Sequence, residues 1–232
     1  MKSLVRTFVL LVLHLLSLAC RREPALPALT GRPVILCAGD SITADVYPLL
    51  LKEMLERDGL RVQVINAGVK GDSTAEYLGF LERSRIVERS EPKWVLLQLG
   101  TNDVRIDSHD TPLPRFRRNL EAILDRIGRQ RNRDGSVPRV LLATIPPIPS
   151  DVRWHFNAAS RARVEAEINP AIRAIARERG LILADHHALF AARPELLPDV
   201  HPSPEGYREL AAAWRRILLP LLAAAPASGA RP

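Results

Sequence analysis

From Pro33 to Leu222, short apolar runs alternate with segments whose apolar residues recur at helical spacing. That alternation is the tightest constraint on what the chain can fold into. Val34-Ile35-Leu36-Cys37-Ala38 is a continuous apolar run of strand length, as expected for a strand buried on both faces. Val62-Gln63-Val64-Ile65, Trp94-Val95-Leu96-Leu97-Gln98-Leu99, Val140-Leu141-Leu142-Ala143-Thr144-Ile145 and Leu181-Ile182-Leu183-Ala184 predict four more strands. Between them, Leu51, Met54 and Leu55 mark a helix that Gly59 stops, and Phe116, Leu120, Ile123, Leu124 and Ile127 form one helical stripe. Asn169-Pro170 reads as a helix start with Asn as cap, followed by Ile172, Ile175 and Ala176 and ended by Gly180. Ser203-Pro204 opens a last helix whose face is Tyr207, Leu210, Ala211, Trp214, Ile217 and Leu218. Parallel neighbours need crossover connections, so the alternation predicts an α/β fold with a five-stranded parallel sheet and helices on both faces.

The chain has 232 residues, enough for one domain or two small ones. A 47% hydrophobic and 25% charged composition is that of a folded chain, and it excludes disorder and collagen-like structure. Two cysteines are too few for a disulfide scaffold or a four-cysteine zinc site. Cys37 sits in a strand run as a small hydrophobe and Cys20 on a tether, so they are not read as a pair.

Residues 1–19 have Lys2 and Arg6, a short apolar centre and small residues at Ser17 and Ala19, the pattern of a secretory signal peptide. Two readings of its end stand. Ser17 and Ala19 suit ordinary cleavage. Ala19-Cys20 also resembles a bacterial lipoprotein box, which would lipidate Cys20 and attach the chain to a membrane; Leu16 lies one position too far upstream for the usual form. Either way the expectation is an exported protein of the periplasm or cell envelope. Residues 20–32, with Pro24, Pro27 and Gly31, read as a linker or tether, 33–222 as the folded domain, and 223–232 as a disordered tail. The formal net charge of +7 comes mostly from arginine, densest between Arg115 and Arg139. With only Phe116 available for stacking, this stretch is read as a solvated helix face and a basic loop rather than a nucleic-acid surface.

Ligands of parallel sheets bind beyond the carboxyl ends of the strands. Gly39-Asp40-Ser41-Ile42 follows the first strand, Asn66-Ala67-Gly68-Val69-Lys70-Gly71-Asp72-Ser73 the second and Gly100-Thr101-Asn102-Asp103 the third, while Pro198-Asp199-Val200-His201-Pro202 precedes the last helix. Taken singly, each has a plain structural reading. Ser41 can cap a helix, Gly68 and Gly71 can serve loop geometry, Asn102 can close a turn, and His201 can pack beside the last helix. Together they offer a hydroxyl nucleophile, an imidazole base suited to neutral pH, and donors for a tetrahedral oxyanion.

The segments G-D-S-I, N-A-G-V-K-G-D-S, L-G-T-N-D and D-V-H-P, in this order, resemble the SGNH family of GDSL esterases and lipases. The resemblance runs from about Val34 to Leu222. It implies a three-layer α/β/α sandwich and a serine esterase without a cofactor or metal. It also implies Ser41 as nucleophile, His201 as base, and an oxyanion hole of the Ser41 N–H, the Gly71 N–H and the Asn102 side chain. One departure stands out. The family's acid usually lies three residues before the histidine, where this chain has Pro198; the carboxylate is Asp199, two before. Asp199 completes a triad, or His201 works as a dyad oriented by a backbone carbonyl.

The first two blocks look most like the lysophospholipase and thioesterase branch, which implies an acyl ester of a lipid as substrate. The T-N-D form of the third block also resembles esterases of acetylated sugars. A reading from another class is a noncatalytic envelope protein that binds a glycan or lipid. The partner expected is a small-molecule ester, with no nucleic acid, and the protein is expected to be a monomer. Asp185-His186-His187 is read as an exposed turn rather than a metal site, because adjacent histidines diverge. Asp151, Trp154, His155 and Phe156 stand as a candidate pocket wall or as loop packing.

Overall fold

The computed structural model describes residues 32–150, 152 and 155–223. The signal peptide, Cys20, most of the 20–32 tether, residues 224–232, Asp151 and Trp154 lie outside the described residues.

Five parallel strands form one sheet in the order β2-β1-β3-β4-β5: β1 (Val34–Gly39), β2 (Gln63–Gly68), β3 (Trp94–Gln98), β4 (Arg139–Ala143) and β5 (Ile182–Ala184). The order reverses at β1, and β1 and β3 are neighbours, with Gly39 opposite Gln98. Strand side chains alternate between faces, so each buried strand feeds two cores. Leu36, Ala38, Val95, Leu97 and Leu142 point to one face and meet α3 (Thr74–Ser84) and α5 (Leu113–Gly128). Ile35, Cys37, Leu96 and Leu141 point to the other and meet α2 (Tyr47–Arg57) and α9 (Pro204–Ala223). Helix layers on both faces of the sheet make the three-layer α/β/α sandwich. Two short helices complete the β1–β2 and β2–β3 connections, α1 (Ser41–Ala44) and α4 (Ile86–Ser90).

Three local expectations change. The second strand does not stop at Ile65; it pairs with β1 through Gly68, so Asn66 and Ala67 are strand residues opposite Cys37 and Ala38. Asn169-Pro170 does not begin a helix. The helix begins eleven residues earlier with α6 (Ala158–Arg163), capped by the Asn157 side chain on the Ser160 N–H. It passes through a π-helical turn (Val164–Ile168) into α7 (Asn169–Glu178). Pro170 has no N–H for the bond to residue 166, and the wider turn just before it accommodates that loss. The Asn169 amide instead bridges out of the helix, donating to Ile145 O at 3.0 Å and accepting from Ile145 N at 2.9 Å. It thereby satisfies the backbone where β4 ends. Finally, α9 includes Ala223, which was expected in the tail. Cys37 is a free, buried thiol, and burial pushes its pKa up to about 12.

Candidate active site

Gly39 ends β1 where only a glycine fits. A Cβ there would lie 2.2 Å from Gln98 O and 2.4 Å from Thr43 Oγ1. The chain then turns sharply. The Asp40 carboxylate accepts from the Ile42 N–H at 3.0 Å, capping α1 and setting Ser41 as its first residue. Asp40 is fully buried, and burial raises its carboxyl to about 7, against the opposing hydrogen bond from Ile42.

His201 lies on the loop between a 3₁₀ turn (Pro194–Leu196) and α9. Its Nε2 stands 2.9 Å from Ser41 Oγ, a contact across 160 residues of sequence. Asp199 Oδ1 accepts from the His201 backbone N–H at 2.5 Å and faces His201 Nδ1 at 3.3 Å. The two side chains remain 61% and 43% exposed, so water screens their interaction. With the proton on Nδ1, the nitrogen facing Asp199, Nε2 is the lone-pair nitrogen directed at the serine.

The two other predicted donors come from the neighbouring strand ends. Asn102 opens the 3₁₀ turn after β3 (Asn102–Val104) and is buried. Its Nδ2 donates one hydrogen to Asp72 O at 3.0 Å, and the second amide hydrogen has no protein acceptor among the described residues. Gly71 has φ +84°, a left-handed conformation, and a Cβ there would meet nothing within 4 Å. Its glycine is therefore needed for the backbone shape, not for space. Ser41, Gly71, Asn102 and His201 line one open cleft of about 390 Å³, with Phe156 and Val200 as its apolar walls. The structure thus brings Ser41, His201, Gly71 and Asn102 together, with Asp199 behind the imidazole. Gly68 is held in β2 instead.

Sequence reasoning gave no role to several cleft residues. Lys70, Arg105, Asp45 and Thr101 line it too. Lys70 and Thr101 lie inside strand-end blocks, and Asp45 and Arg105 follow one within three residues, which was the available signal. Arg105 is held by both oxygens of Asp107, at 3.0 and 2.8 Å, and His155 Nδ1 reaches the same carboxylate at 2.5 Å. The Arg105 fork holds the Asp107 carboxyl well below the usual carboxylate range. His155 and Phe156 are pocket-wall residues, as one of the two sequence readings had it. Burial pushes Asp72 up to about 6, with Glu76 nearby adding to it.

The Asp185-His186-His187 expectation of an exposed turn is overturned. These residues begin α8 (His186–Ala192), with Asp185 as its cap, accepting from the Ala188 N–H at 3.1 Å. His186 is buried edge-on against Trp214 at 4.7 Å, with Nδ1 2.6 Å from Gln98 Oε1. Burial lowers its pKa to about 3. Trp214 comes from a helix that local sequence could not place against this turn. His187 turns away to Glu165, at 2.7 Å. Among the described residues, no group of three His, Cys, Asp or Glu side chains could hold a metal ion. In the Arg115–Arg139 stretch, Arg117, Arg126 and Arg133 pair with Glu178, Glu88 and Glu91, and Arg139 lies over the Trp94 ring.

A chain with this geometry has relatives. It is 26% identical over 184 residues to the esterase TesA of Pseudomonas aeruginosa, covering 73% of this chain and 86% of that one. It is 29% identical over 131 residues to a multidomain esterase of Ruminococcus flavefaciens, covering 55% of this chain and only 16% of that protein. The crystal structure of the lipase/acylhydrolase from Enterococcus faecalis superposes with a TM-score of 0.68 at 27% identity, covering 80% of this chain and 95% of that one. The GDSL-like lipase/acylhydrolase family model matches residues 37–209, from the middle of β1 into the last helix and across every residue of the cleft. This chain belongs to that family.

Proposed function

We propose that the protein hydrolyses carboxylic esters by way of an acyl-enzyme on Ser41. The observation that carries this reading is the 2.9 Å contact of His201 Nε2 with Ser41 Oγ beside Gly71 and Asn102. A serine hydroxyl is a poor nucleophile until a base accepts its proton. In this reading, Ser41 Oγ bonds to the ester carbonyl carbon while its proton passes to His201 Nε2. The carbonyl π-electrons move onto oxygen, where the N–H groups of Ser41 and Gly71 and the free Asn102 amide hydrogen receive the charge. The C–O bond to the alcohol then breaks, and His201 returns the proton to the leaving oxygen. Water, deprotonated by the same imidazole, repeats the addition and releases the acid.

Within this reading, a cleft of about 390 Å³ suits a short acyl group, as in an acetylated sugar, better than a long acyl chain. Among the described residues, Phe156 and Val200 are its apolar side chains, and Lys70, Arg105, Asp45 and His155 add polar and charged groups around it. The noncatalytic alternative would leave the Ser41–His201 contact without a purpose. We further propose export through residues 1–19, with lipidation of Cys20 or simple cleavage as the two forms, and action as a monomer. Metabolic labelling with a radioactive fatty acid, with Cys20→Ala as control, separates the two forms.

The central test is reaction of the purified protein with a fluorophosphonate probe, alongside hydrolysis of p-nitrophenyl esters of increasing acyl length. Rapid labelling that vanishes in Ser41→Ala, with turnover falling beyond short acyl chains, is expected. Undiminished hydrolysis by folded Ser41→Ala would overturn the reading.

A further inference from the structure

Asp103 follows Asn102 in the chain and is fully buried, yet it touches neither Ser41 nor His201. Its contacts lie on the β2 side of the site. Oδ2 accepts from the Thr74 backbone N–H at 2.9 Å, and Oδ1 accepts from the Thr74 hydroxyl at 2.6 Å. Thr74 Oγ1 in turn accepts from Asn119 Nδ2 of α5 at 3.1 Å. The Asp103 backbone is fixed too, its N–H donating to Gly100 O at 3.2 Å and its O accepting from Thr111 N at 2.7 Å. Three residues before Thr74 stands Gly71, and the peptide oxygen between them, Asp72 O, is held by Asn102 Nδ2 at 3.0 Å.

Adjacent residues of one turn, Asn102 and Asp103, therefore clamp a single four-residue loop at two points. At the α3 start, Glu76 accepts from the Ser73 N–H at 2.8 Å and from its hydroxyl at 3.0 Å, while the next N–H, that of Thr74, goes to Asp103 across the site rather than to a group of its own helix. A buried carboxylate whose hydrogen-bond partners are neutral donors is costly to maintain, and a well-packed apolar side chain would typically be less so. Such a group persists where it holds a geometry that packing alone would not.

We infer that Asp103 is a positioning residue for ester hydrolysis. Its carboxylate ties the Gly71–Thr74 loop to the turn carrying Asn102 and so sets the separation of the two oxyanion donors contributed by different strands. The inference rests on the ester-hydrolase reading above. Donors displaced by a fraction of an ångström lose transition-state stabilisation while the ground state binds much as before, so the effect should fall on kcat.

The test compares Asp103→Ala and Asp103→Asn in the full chain, with p-nitrophenyl acetate as substrate and active sites counted by endpoint fluorophosphonate labelling. Asn can still accept from the Thr74 N–H and can donate to the Thr74 hydroxyl. Asp103→Ala should lower kcat per labelled site roughly 10- to 100-fold, short of the roughly 10²–10³ typical of losing a whole donor. KM should stay within about threefold, and Asp103→Asn should recover most of the rate. In an Asn102→Ala background the Asp103→Ala loss should shrink to a small fraction of its size, because one of the donors it positions is already gone. Wild-type kcat in Asp103→Ala, or an equal loss in both backgrounds, overturns the inference. Should Asp103→Ala not fold, Thr74→Val removes the hydroxyl bond alone. A several-fold drop in its kcat supports the inference, and an unchanged kcat overturns it. Failure of the underlying reading looks different, since Ser41→Ala would then stay active.

Discussion

Asp199 holds His201 through one oxygen: Oδ1 accepts from the histidine's own backbone N–H at 2.5 Å and faces its ring Nδ1 at 3.3 Å. The shorter contact fixes the loop, and we propose that the longer one orients the ring. The two-residue spacing produces both, because an Asp side chain readily bonds the N–H two residues on.

Asp199 is therefore predicted to contribute modestly. Its carboxylate is exposed and its ring contact long, so Asp199→Ala should lower kcat/KM by about 10-fold. Loss of a buried, well-aligned acid in a serine protease costs roughly 10⁴ by comparison. Asp199→Asn, which keeps the backbone contact, should fall between wild type and the alanine variant. Steady-state kinetics on one short-chain ester decide this, and a loss of roughly 10⁴-fold would overturn it.

Gly71→Ala should lower activity without a steric clash. A Cβ at Gly71 has open space, but φ +84° strains any L-residue by about 1–2 kcal/mol. Relieving that strain means rotating the Gly71 peptide, whose N–H is the proposed oxyanion donor. Urea unfolding should show a loss of about 1 kcal/mol, and kcat should fall by an order of magnitude or more. An unchanged kcat would remove the Gly71 N–H from the oxyanion hole.

Asp40→Asn should alter how stability depends on pH. The Asp40 carboxyl is raised by burial to about 7, against an ordinary value of 3.8. Between those values the folded state holds a proton that the unfolded state has released. Its contribution to stability is thus full below pH 4 and is lost as pH rises through about 7. Asparagine keeps the cap to the Ile42 N–H without titrating. Relative to the variant, wild type should weaken by a few kcal/mol from pH 4 to pH 8, as read from denaturant midpoints. Parallel curves would sink the prediction.

His186 should produce the opposite slope. Burial lowers its pKa from 6.5 to about 3, so below pH 6.5 the unfolded chain binds a proton that the folded chain refuses. Stability from this group is present above pH 6.5 and lost as pH falls towards 3. His186→Gln should flatten that acid limb while lowering stability at pH 7, because it gives up the edge contact with Trp214. Thermal unfolding from pH 4 to pH 8 measures both effects.

Much of this was legible in the chain of letters. Apolar runs at Val34, Trp94 and Val140 announce buried parallel strands because a strand covered on both faces must be apolar on both. The polar blocks at Ser41, Gly71 and Asn102 fall on one rim because parallel strands all end on the same side. What periodicity cannot carry is distance between side chains on separate elements. The approach of His201 to Ser41, the burial of His186 beneath Trp214, and the clamp from Asp103 to Thr74 each join residues far apart in sequence. The same holds for the helix that runs unbroken past Pro170, since a local breaker is overruled when a widened turn and the Asn169–Ile145 bonds absorb the missing donor. Local preference is a matter of tenths of a kcal/mol to a few, and the packing of whole layers outweighs it.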